Sequence, residues 1–127
     1  MRAFELRKDW PAVRKGLEEI HRKSNDLDWI PEDVYMLLKQ NVLRGLMWDG
    51  CGFILYRDTT NPFTQEPGVF VFAAYSDNPR EGMAAWLEFE DLVKGSAKKF
   101  IEMDSTRTGW MRHSGWKEKR TIYRKEV

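Results

Sequence analysis

Residues 69–75 read VFVFAAY, the most apolar run in the chain. An uninterrupted apolar strand belongs inside a sheet, covered on both faces. The residues after it narrow the choice further. Asp77, Asn78 and Pro79 make a loop. Residues 82–94 then carry Trp86, Phe89 and Val93 at helical spacing, with Gly95 just past the end. Residues 100–105 read as a further strand. Strand, helix and strand in this order predict a parallel pair with a right-handed crossover. Ligands of such sheets sit beyond the carboxyl ends of the parallel strands, where the topology switches. That point lies near Tyr75, Ser76 and Ser105.

The rest of the chain supplies partners for this unit. A short strand is expected over residues 3–6. Asp9 reads as an N-cap and Pro11 as a first-turn residue, followed by Trp10, Val13, Leu17 and Ile20 at helical spacing. Ser24, Asn25 and Asp26 break that helix. Pro31 opens a second one, with Glu32 and Asp33 in its first turn, which stops near Asn41. Residues 43–48 and 53–57 read as strands around an Asp49-Gly50 turn. Residues 61–67 connect the second of these to the apolar run, as a recognition loop or as a plain link. Residues 106–115 are expected to turn or form a short helix, and residues 120–127 to make a last strand around Ile122 and Tyr123. The order is β-α-α-β-β-β-α-β-α-β, an α/β fold with a mixed sheet and helices on both faces. With 127 residues the chain makes a single domain, 1–127.

Composition excludes several classes. No apolar run is long enough to span a membrane. The opening MRAFELRKDW lacks the apolar stretch of a signal peptide, and the single Cys51 has no internal disulfide partner, so a cytosolic setting is expected. His21, His113 and Cys51 have no metal-ligand spacing. Charge is balanced at +1 overall but unevenly spread: residues 94–127 hold ten Lys or Arg against four acidic residues. A basic third suits phosphate, yet it equally suits a solvated edge, and nucleic-acid binding is not expected. Trp110 and Trp116 flank Arg112 and His113 in this segment. Aromatic and arginine side chains together suit a protein partner, so Arg107, Trp110, Arg112 and Trp116 are the candidate partner-binding residues.

The element order, with a strand, a short helical piece, Gly115-Trp116 and a strand carrying Tyr123, resembles the GNAT acetyltransferases. Asp9-Trp10, Val13-Arg14, Trp29, residues 31–35 (PEDVY) and Ser105-x-Arg107-x-Gly109-Trp110 are more narrowly similar to small GNAT-like proteins of tailed phages. The resemblance implies a GNAT-like acyl-CoA N-acyltransferase architecture and acetyl-CoA as the cofactor to test. The family binds the diphosphate at the loop before its third helix, through Gln/Arg-x-x-Gly-x-Gly/Ala. Here Gly82 and Ala84 match the last two positions, Pro79 takes the first, and Arg80 is displaced by one. Ala74 and Tyr75 would hold the thioester. The family's tyrosine acid falls on Met111, which carries no proton to give. Glu102 and Asp104, alternating onto one face of their strand, are the candidate bases. The chain therefore has two readings. One is a non-catalytic binding or structural protein, in the host cytoplasm or the virion, with a phage or host protein, or a further copy of itself, as partner. The alternative is an acetyl-CoA-dependent N-acyltransferase acting on an amine.

Overall fold

The computed structural model describes residues 1–24, 27–104 and 115–127. The elements are β1 (Arg2–Ala3), α1 (Leu6–Lys23), α2 (Pro31–Lys39), β2 (Arg44–Trp48), β3 (Gly52–Thr60), β4 (Pro67–Ser76), α3 (Pro79–Lys94) and β5 (Phe100–Met103). The sheet runs β1-β2-β3-β4-β5, antiparallel except for β4 and β5, which are parallel neighbours as the crossover argument requires. The mixed α/β architecture expected from the sequence is therefore present.

Two apolar clusters sandwich the sheet. On one face α1 and α2 bury Val13, Leu17, Val34 and Leu38 against Met47, Phe53, Leu55 and Ala73. On the other, α3 buries Trp86, Phe89 and Val93 against Leu46, Ile54, Val69 and Val71. Adjacent Ile54 and Leu55 thus serve opposite layers, as strand alternation demands. The β2–β3 turn carries Gly50 at φ +72°, and Asn41 takes φ +58° where α2 ends, a conformation asparagine tolerates better than most residues.

β4 carries an irregularity that bears on the site. Leu55 lies opposite Ala73 but Tyr56 lies opposite Val71, so Phe72 is an extra residue in β4. Such a bulge swaps the faces beyond it. Val69 and Val71 point to the α3 layer, whereas Ala73 and Tyr75 belong to the α1–α2 layer.

Two expectations are corrected. Asp9 is not an N-cap: α1 starts at Leu6, with Glu5 as its cap residue. The buried Asp9 carboxylate instead accepts the Glu5 N–H at 2.7 Å and pairs with Arg2 at 2.6 Å, which draws the helix start back to β1. Pro11 consequently lies inside the helix. Residues 120–127 form no strand; Ile122 is 72% exposed and Tyr123 89% exposed. Two apolar residues among charged neighbours offer too little surface to hold a strand on an edge. The short helical piece expected at 106–115 falls almost wholly outside the described residues.

Candidate functional site

β5 pairs with only the first part of β4. The register runs from Gly68 opposite Phe100 to Val71 opposite Met103, while β4 continues to Ser76. Among the described residues, then, the β5-facing edge of β4 from Phe72 to Ser76 has no strand partner. The bulge stands at the start of this opening. Ala74 is exposed there, and Tyr75 packs towards Phe53 with ring centroids 5.8 Å apart. The Tyr75 hydroxyl donates to Asp77 at 2.9 Å, and that bond raises the pKa of the phenol.

The N-terminus of α3 closes the top of the opening, and its backbone donors can be counted one by one. Asp77 N–H donates to the Cys51 carbonyl at 2.9 Å. Asn78 N–H donates to Ser76 Oγ at 3.1 Å. Pro79 has none. Arg80 and Glu81 N–H both donate to Asn78 Oδ1, at 3.0 and 3.3 Å. Gly82 N–H donates to the Asn78 carbonyl at 2.8 Å. Every donor from 77 to 82 has an acceptor within the chain. Gly82 is glycine for a packing reason: a Cβ there would come within 2.7 Å of Ser76 Cβ. Cys51, a buried thiol, is tied to the same corner, its Sγ 3.5 Å from Ser76 Oγ.

No protein-family model matches the chain, and no curated protein matches it. Solved structures do. A protein of Clostridium difficile 630 described as a possible acetyltransferase superposes with a TM-score of 0.72 at 13% identity, covering 99% of this chain and 95% of that one. An acetyltransferase of Trypanosoma brucei gives 0.66 at 9% identity, covering 99% and 97%. The ribosomal-protein-alanine N-acetyltransferase of Brucella melitensis biovar Abortus 2308 gives 0.63 at 14% identity, covering 96% of each. The chain has the GNAT fold.

On a GNAT scaffold the α3 N-terminus is where the resemblance places the acetyl-CoA diphosphate. The residues present do not fit that group. An anion site at a helix start needs free N–H groups; here they are capped by Asn78 or missing at Pro79. Glu81 adds a carboxylate to the first turn. Arg80 and Ala84 are exposed on the helix, and Arg80 would offer a cation to a phosphate.

Of the remaining expected site residues, Glu102, Asp104 and Trp116 are described. Ile101 and Met103 pack on the α3 cluster, so alternation turns Glu102 to the other face, opposite Phe70 in register and within the paired part of the sheet. Asp104 is exposed, just beyond β5 where the opening begins. Trp116 is half-buried against Trp86, with centroids 5.9 Å apart. Ser105, Arg107, Trp110, Met111, Arg112 and His113 lie outside the described residues. Sequence reasoning missed the capping role of Asn78, although asparagine before proline at a helix start is a readable signal. It gave no partner to His21 either: in the last turn of α1 its ring Nε2 bonds to the Trp29 carbonyl, and the two rings meet edge to face at 5.0 Å.

Proposed function

We propose that this chain is a non-catalytic binding or structural protein on a GNAT scaffold, with a phage source and a phage or host protein as its partner. The self-capped α3 N-terminus carries the reading. A cofactor diphosphate would have to displace Asn78 from two N–H groups and accept Glu81 as a neighbour. The narrower resemblance to small GNAT-like proteins of tailed phages supports the source, and a virion-associated or host-directed role goes with it.

The test is calorimetric titration of the full chain with acetyl-CoA. The expected result is no binding up to millimolar ligand. Micromolar affinity would overturn the proposal, because it requires a working diphosphate site. That outcome would restore the second reading, an N-acyltransferase, which the β4 edge beside exposed Ala74, without a strand partner among the described residues, favours.

A further inference from the structure

Phe63 is 94% exposed at the tip of the β3–β4 hairpin. The loop displaying it has no loose backbone donor. Asn61 N–H donates to the Glu66 carbonyl at 2.9 Å, and Gln65 N–H donates to the Asn61 carbonyl at 2.8 Å. Asn61 Oδ1 accepts the N–H groups of Phe63 and Thr64, at 2.9 and 3.2 Å. Glu66 N–H donates to Thr64 Oγ1 at 3.3 Å. The other positions are Pro62 and Pro67, which have no N–H. An aromatic ring held in water by a satisfied loop is preorganised for insertion, since binding need not order it.

A complementary hollow lies elsewhere on the chain. Trp10, Arg14, Glu32, Tyr35 and Met36 line a depression of about 270 Å³ between α1 and α2. Trp10 and Tyr35 meet edge to face at 5.1 Å, and Met36 is 46% exposed. Charge matches too. Glu66 is exposed three residues after the displayed ring, and the exposed Arg7 lies one turn before Trp10 on α1, while Arg14 in the depression is paired with Glu32 at 2.6 Å. The loop also stands clear of β2: β3 and β4 continue for four register pairs past Tyr56 opposite Arg44, where β2 begins, with β5 paired along the other edge of β4 from Gly68.

We propose that this loop docks on the α1–α2 depression of a second copy of the chain. Phe63 enters between Trp10, Tyr35 and Met36, and Glu66 faces Arg7. Two such contacts around a twofold axis close a dimer. The inference is independent of the cofactor: acetyl-CoA titration and self-association can each succeed or fail alone.

Sedimentation equilibrium of the full chain tests it, with photo-crosslinking from p-benzoylphenylalanine placed at position 63. The expected result is a dimer whose association weakens about 10-fold or more in Phe63→Ser and in Met36→Lys. Crosslinks should map to residues 6–39 of the other copy. Phe63→Ser should melt like the wild type, because the ring touches little in its own chain. A monomer up to millimolar concentration would overturn the proposal. So would a dimer indifferent to both substitutions, or crosslinks that map elsewhere.

Discussion

Asp9 shows how a single side chain decides where a helix begins. It is 3% exposed, yet it ties α1 to β1 through Arg2, which also reaches Asp49 in the β2–β3 turn at 2.7 Å. The Arg2 guanidinium holds its carboxyl below the usual carboxylate value; burial opposes this and the Glu5 N–H assists. A carboxyl lowered in the folded state stabilises above its unfolded pKa, near 4, and that contribution fades as pH falls through the lowered value. Asp9→Asn should therefore cost about 2 kcal/mol at neutral pH. The gap from wild type should narrow below about pH 4, measured by urea unfolding across the acid range. A gap constant with pH would remove the charge from the account. An aspartate ahead of an apolar helical stripe is legible as a helix-start residue. Its true role was not legible, because Arg2 sits on a strand and no local spacing announces the pair.

At the scale of elements, the β4-α3-β5 unit was readable because its signals are local and agree: an apolar run, Trp86, Phe89 and Val93 at helical spacing and a glycine after the helix end. The bulge was hidden by the same run. In VFVFAAY every residue is apolar, so no polar position marks where alternation changes face. The tail misled in the opposite way, since Thr121, Ile122 and Tyr123 favour strand intrinsically but find nothing to cover them. Its ion pair, Arg124 to Asp28 at 3.9 Å, is exposed at both ends and contributes little. Deleting residues 120–127 should change unfolding free energy by less than about 0.5 kcal/mol. A loss of several times that in denaturant melts would mean the segment pairs with the sheet after all. Of the candidate site, the glycine and the loop position were legible. The occupancy of the donors was not, because it depends on where the Asn78 amide points.

For the molecule as a whole, β3, like its neighbours β2 and β4, serves both layers, with Leu55 fully buried on the α1–α2 side and Ile54 on the α3 side. Neither cluster can open without disturbing it. Amides of β3 should exchange hydrogen only through global unfolding, and Leu55→Ala should cost about 2–5 kcal/mol. Faster exchange at Ile54 and Leu55 than in α1 would show that the layers open separately. The cap at Asn78 has a consequence on this scale as well. Its oxygen is tethered to the donors it serves, so its effective concentration is set by the chain and not by the surroundings. A free phosphate ester competes against that fixed local supply. On the proposed non-catalytic reading, a fold built this way keeps one stability whether the surrounding pool of metabolites is rich or exhausted.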